Sequence, residues 1–193
     1  SKCESEHRYK NFEMAAYTLQ HPGHPGLQTP EWDVAKFMGF SFDDTDVYKT
    51  IEGASYVLQT YPDVKLKAYI DSVLDVVAAA QEPDGYLTTC VTNKCTRLSG
   101  WWGTHKWEKI NSHELYNSGH LIESAVAHYR ATGKKTFLNV AIKNADLVCN
   151  TFGPNEGQIH RPGGHPIIEM ALCKLYKVTG NTKYLEGDKY FVD

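Results

Sequence analysis

The run His128-Tyr-Arg-Ala-Thr-Gly-Lys-Lys-Thr-Phe-Leu returns 47 residues later as Leu175-Tyr-Lys-Val-Thr-Gly-Asn-Thr-Lys-Tyr-Leu. Each copy ends one apolar helical pattern on a Thr-Gly stop and opens another, so the repeating unit is a helical hairpin. That length excludes hairpin repeats of about 34 residues and leaves two architectures, an open solenoid or a toroid of alternating inner and outer helices. Periodicity does not choose between them. Apolar residues recurring at three and four predict seven helices, over 6–20, 46–60, 64–81, 112–131, 135–151, 166–178 and 182–193, with no sustained strand alternation. Pro62, Pro83-Asp-Gly, Gly133, Gly153-Pro and Gly180 supply the stops. The fold class expected is all-α.

Two segments break this rhythm. One is the Pro/Gly run from His21 to Pro30; the other, 82–111, carries Trp101, Trp102 and Trp107 with three glycines. A loop that long tends to be functional or disordered, and three indoles argue against disorder. They either wall a cleft, where indole faces suit the C–H faces of sugars, or plug a helix end.

With 193 residues, 41% of them hydrophobic, the chain is expected to form a single domain with a real core. Its net charge is −3 and its Lys and Arg are scattered, which gives no basic stripe for nucleic acid. The most apolar run, 73–80, is interrupted by Asp75 and is far short of the roughly 20 residues of a membrane span. Neither a secreted or periplasmic nor a cytoplasmic location is fixed by these features. Five cysteines without a Cys-x-x-Cys pair speak against a structural zinc site. Cys149 and Cys173 sit in helical patterns as small hydrophobes, and Cys90 with Cys95 is either a loop disulfide or two thiols.

The chemistry concentrates in Asn111-Ser-His-Glu-Leu-Tyr-Asn-Ser-Gly-His120. His113, Tyr116, His120 and Ser124 share one helical stripe; Leu115, Gly119, Ile122, Val126 and Tyr129 share an apolar one. A zinc-protease motif needs its histidines four apart, whereas His113 and His120 are separated by two turns, about 10 Å of rise. A second candidate is Pro162-Gly-Gly-His165-Pro166, which sets an imidazole at a helix mouth, either as a cap or as a ligand contact. Asp84 in Pro-Asp-Gly reads as an Asx turn rather than a catalyst. Glu114 and Glu169 read as possible hydrogen-bonding orienters.

Five segments together, Asp46-Val-Tyr-Lys-Thr-Ile-Glu-Gly-Ala-Ser-Tyr, Ala79-Ala-Gln-Glu-Pro-Asp-Gly-Tyr-Leu, Trp107-Glu-Lys, Ser112-His-Glu-Leu-Tyr-Asn-Ser-Gly-His-Leu-Ile-Glu and Gly164-His-Pro-Ile-Ile-Glu-Met-Ala-Leu, resemble the β-L-arabinofuranosidases of glycoside hydrolase families 127 and 146. The resemblance implies an (α/α)6 toroid, here about its first half, spanning 1–193 as one partial catalytic domain. It implies substrate-binding roles for His113 and His165, and weaker ones for Asp46 and Trp107. An imidazole that donates through one nitrogen and accepts through the other suits a sugar hydroxyl. Thr50 stands where the family commonly has tryptophan.

The implied reaction is retaining hydrolysis of arabinofuranosides, by a cysteine nucleophile held on zinc with a glutamate as general acid/base. Those residues belong to the later half of the family's domain, so no catalytic residue and no zinc ligand is assigned to this chain, which alone is expected to be inactive. The expected partner is an oligosaccharide or glycoconjugate bearing L-arabinofuranose. The last predicted helix ends without a cap, and a half toroid is expected to self-associate through an apolar seam. The alternative is a non-catalytic sugar-binding or helical scaffold module.

Overall fold

A computed structural model describes residues 3, 8–22, 38–95 and 98–193. The start of the first predicted helix and most of the 21–30 Pro/Gly run lie outside the described residues. The elements are α1 (Arg8–Gln20), α2 (Asp44–Thr60), α3 (Val64–Ala79), the single turns α4 (Thr89–Thr92) and α5 (Ser99–Trp102), a 3-10 turn (Ile110–Ser112), α6 (Glu114–Thr132), α7 (Thr136–Thr151), α8 (Ile168–Thr179) and α9 (Thr182–Val192). The all-α expectation holds: among the described residues extended pairing is confined to an isolated bridge between Phe152 and Ile159.

The sequence echo reappears in the two Thr-Gly turns. Gly133 and Gly180 close α6 and α8 at φ +71°, and their N–H groups donate to Tyr129 O (2.8 Å) and Tyr176 O (2.7 Å). A left-handed residue is needed there, which is why both stops are glycine. The threonine before each glycine donates to the carbonyl four residues back, His128 O and Leu175 O, at 2.8 Å in both cases. Phe137 and Tyr184, each five residues after such a threonine, are buried in the next helix. The same turn chemistry therefore closes both hairpins, α6–α7 and the shorter α8–α9.

Packing sorts the helices into two layers. α6 lies between α2 and α8, with its hairpin partner α7 behind it, and every residue from 121 to 128 is buried. α2, α6 and α8 thus form an inner layer, and α3, α7 and α9 return outside it. Asp63 starts α3 by accepting the N–H groups of Lys65 (2.8 Å) and Leu66 (3.0 Å).

The 82–111 segment is pressed onto this frame rather than left open. Gly85, at φ +99°, lies so close to α7 that a Cβ would stand 2.4 Å from Lys143 O. Gln81 and Asn144 both donate to its carbonyl at 3.0 Å. Asp84 accepts the Tyr86 N–H at 2.9 Å, the Asx turn expected of Pro-Asp-Gly. Further on, Thr89 donates through N–H and hydroxyl to the buried Asp44, at 2.7 and 2.5 Å, fixing α4 to the first turn of α2. Trp102 is buried and donates to Cys95 O (3.0 Å), while Trp101 is exposed. Cys90 and Cys95 are buried thiols rather than a disulfide.

Candidate functional site

The helix carrying the chemistry begins two residues later than the 112–131 pattern predicts. The 3-10 turn ends at Ser112, His113 adopts φ +60° and ψ +27°, and α6 starts at Glu114. A left-handed histidine costs about 1–2 kcal/mol and persists only where its surroundings hold it. Glu114 is that surrounding. Its carboxylate is buried and accepts the hydroxyls of Tyr86 and Ser112 together with the backbone N–H of Trp107 (2.8 and 3.0 Å to its two oxygens). Burial pushes its pKa up, while these donors and the charge of Arg161 pull the other way. Arg161 in turn donates to Trp107 O and to Glu108 O (3.1 Å). The loop is tied at both ends, and His113 is forced outward.

Two close approaches bring His165 to it. A Cβ on Gly164 would stand 2.4 Å from Ile110 O, and one on Gly119 would stand 2.5 Å from Ile167 Cγ2. Lacking side chains, the two glycines let the 162–167 segment settle on the start of α6. The His113 and His165 rings then lie 5.4 Å apart between centroids, and Tyr116 lies 5.2 Å from His165. The helix beyond begins at Ile168 rather than Pro166, with the Ile167 N–H held by the Glu169 carboxylate at 2.9 Å. Glu169 is therefore an orienter of the helix start. Phe42, just before α2, meets His113 at 5.0 Å. The N-terminal ends of α2, α6 and α8 thus share one rim.

Protonation on this rim follows from partners. His113 Nδ1 is 2.6 Å from Asn111 O; a carbonyl only accepts, so Nδ1 is the donor, and in the neutral ring Nε2 is then the acceptor. His120 packs edge-on against Tyr116 at 4.6 Å, and burial, with the Lys49 charge second, pushes its pKa down to about 4. It is a neutral ring at any ordinary pH. Lys49, from α2, donates to Tyr116 Oη (2.8 Å) and Thr45 Oγ1 (3.2 Å), and its ammonium lies 4.9 Å from the Tyr116 ring centroid.

Not every expected site residue joins this cluster. Asp46 is half-exposed at the start of α2, with its carboxylate 3.7 Å from Arg8 Nε. Trp107 is 7% exposed and takes edge contacts from Tyr86 (5.1 Å) and Phe152 (5.4 Å), so its indole plugs the floor under the rim instead of walling it. Ser124, on the same helical stripe as His113, is buried and donates to Leu121 O at 2.8 Å. Lys49 and Phe42 were not singled out by sequence; the only signal for Lys49 is its place in the Asp46-Val-Tyr-Lys motif.

Zinc does not fit the residues described. Among them no group of three or more His, Cys, Asp and Glu stands close enough to hold an ion. The Cys149 thiol is pushed up to about 11 by burial, away from the thiolate that a metal ligand or nucleophile needs. A groove of about 760 Å³ lies elsewhere, between the 152–162 segment and α9, lined by Phe152, Arg161, Lys183, Tyr190 and Phe191.

Inner helices whose N-terminal ends make a polar rim, backed by outer helices, are part of an (α/α)6 toroid of the glycoside hydrolase kind. The chain belongs to the β-L-arabinofuranosidase, GH127 catalytic domain family, whose model matches residues 4–193. It is 46% identical over 160 residues to a non-reducing end β-L-arabinofuranosidase of Bifidobacterium longum subsp. longum, covering 82% of this chain and 24% of that protein. A solved GH127 β-arabinofuranosidase superposes with a TM-score of 0.87 at 54% identity, over 100% of this chain and 29% of the other. A GH127 β-L-arabinofuranosidase from Geobacillus stearothermophilus T6 gives 0.81 at 40% identity, over 97% and 26%. The chain therefore spans 24% to 29% of the length of these relatives. Among the described residues no helix is long and apolar enough to cross a membrane.

Proposed function

We propose that this chain supplies the sugar-holding rim of a β-L-arabinofuranosidase-type catalytic domain, with a terminal L-arabinofuranose of an oligosaccharide or glycoconjugate as its ligand. The observation that carries this reading is the convergence of His113 and His165, 52 residues apart in sequence, at a ring separation of 5.4 Å. His113 Nε2 accepts a sugar hydroxyl, and the exposed ring of His165 approaches the same sugar from the start of α8. Asp46, outside the histidine cluster and beside Arg8, offers a hydroxyl acceptor at the margin of the site. Trp107 acts from below, because its backbone holds Glu114 and Glu114 holds His113. Hydrolysis belongs to the whole domain: no thiolate, zinc ligand or acid/base pair is assigned to these residues.

Free L-arabinose is mostly pyranose, so the test uses methyl β-L-arabinofuranoside in an NMR titration of the 193-residue chain. Saturable shifts centred on His113 and His165, and at least a tenfold weaker response in His113→Ala, are expected. Equal or absent responses in both proteins would leave a helical scaffold as the better reading. A second reading is self-association, for which the groove beside α9, lined in part by Phe152, Tyr190 and Phe191, would serve as the seam between two copies of this chain. Light scattering checks it: a monomer stable at every concentration rejects self-association.

A further inference from the structure

The segment just before α2 carries a feature that the terminal-sugar site does not use. Phe40 and Phe42 lie parallel, 5° between planes and 5.4 Å between centroids, and Phe42 continues to His113 at 5.0 Å. Phe40 is nonetheless 52% exposed. Loop aromatics are ordinarily turned inward, since burying one removes a large apolar face from water. Here the backbone on both sides of Phe40 is pinned. The buried Asn11 brackets Met38, donating to its carbonyl at 2.9 Å and accepting its N–H at 3.1 Å. Buried Asn117, one turn along α6 from His113, donates to Ser41 O at 3.0 Å, between the two rings. Asp43 accepts the Phe40 N–H at 2.8 Å and is itself paired with Arg8 at 2.6 Å. Three buried polar side chains thus fix an aromatic pair beside the histidines, with the half-buried Phe42 inward and Phe40 exposed.

We infer that Phe40 and Phe42 form a second subsite, a flat platform for the sugar ring attached to the terminal arabinofuranose. The inference rests on the arabinofuranoside reading and extends it: the ligand is recognised as at least a disaccharide, one ring at His113 and His165 and the next lying on Phe40. The apolar C–H face of that second ring covers the exposed phenyl, while its hydroxyls keep their water. Phe42 touches His113, whereas Phe40 reaches that ring only through Phe42, so a change at Phe40 tests the platform apart from the histidines.

The same NMR titration, run on the 193-residue chain with methyl β-L-arabinofuranoside and with the methyl glycoside of a di-L-arabinofuranoside, distinguishes the possibilities. The disaccharide is expected to bind about five- to tenfold more tightly than the monosaccharide, and Phe40→Ala is expected to erase that advantage while leaving the monosaccharide within about twofold. Phe40→Trp, which keeps a flat face, retains the advantage. An unchanged disaccharide-to-monosaccharide ratio in Phe40→Ala overturns the platform and leaves the terminal-sugar site standing. Failure of the wild-type chain to bind either sugar overturns the arabinofuranoside reading itself, and the platform with it.

Discussion

Glu114 and His113 are neighbours in the chain with opposite circumstances. Glu114 is buried and receives three side-chain or backbone donors; His113 has a strained backbone and a ring that bonds to Asn111 O and is turned to the rim. The difference shows how an apolar helical array carries a polar site. A saturated group below fixes geometry, and an unsaturated one above is left to meet a ligand. Stability and binding should therefore respond separately to changes at these two positions.

The largest effect is expected at the lower position. Glu114→Ala leaves the Trp107 N–H and the Tyr86 and Ser112 hydroxyls without their acceptor and opens a cavity, at a cost of about 3 kcal/mol. Urea unfolding measures it, and a loss below about 1 kcal/mol would mean that Glu114 is not what holds the loop.

A second buried acid sharpens the contrast by its pH dependence. Burial pushes Asp44 up to about 7 against the donors of Thr89, so the folded state holds its proton more tightly than the unfolded chain does. The stability linked to this group is complete below about 3.8, the value of an unburied aspartate, and is lost as pH rises through 7. Asp44→Asn should flatten that decline, giving a more stable protein than wild type at pH 8 and no gain at pH 4. Parallel stability curves would contradict it.

At the upper position the sign reverses. His113→Gly removes the penalty of a left-handed side-chain-bearing residue and should raise stability by about 1 kcal/mol, while sugar binding disappears. Denaturation and the arabinofuranoside titration read the two effects in one variant. Loss of stability would show that the imidazole packs more than it presents.

Much of this arrangement was legible in the sequence. Turn chemistry at Thr132-Gly133 and Thr179-Gly180 is local, so its repetition announced the hairpins, and the Asp84 turn followed from three adjacent residues. The helix around His113 starts two residues later than its pattern predicts because a helical stripe shows faces, not breaks: nothing local in Ser112-His-Glu tells that Glu114 reaches back to Trp107 and forces a left-handed residue between them. The sequence leaves Trp107 as wall or plug for the same reason, since the answer lies in Tyr86 and Phe152, 21 and 45 residues away. His113 and His165 were paired through family resemblance, and the physical cause, the bare faces of Gly119 and Gly164, shows only once the segments meet.

The finest test addresses Lys49, which reaches the rim from α2 across 67 residues of sequence to hold the Tyr116 phenol. An exposed ammonium contributes little to folding, about 0.5 kcal/mol or less, so Lys49→Met should leave the melting temperature almost unchanged. Its effect should appear in the ring it holds. Without the 2.8 Å bond and the charge over its face, Tyr116 is free to turn away from His165, and sugar affinity should fall by a few-fold. His120 supplies an independent readout, because its pKa of about 4 is set first by burial and then by the Lys49 charge. Histidine-selective NMR should find it moved upward in Lys49→Met yet still below 6.5, the ordinary value, while Lys49→Arg stays near wild type in both affinity and titration. A fall in affinity with His120 unmoved would place the Lys49 ammonium away from this corner of the rim.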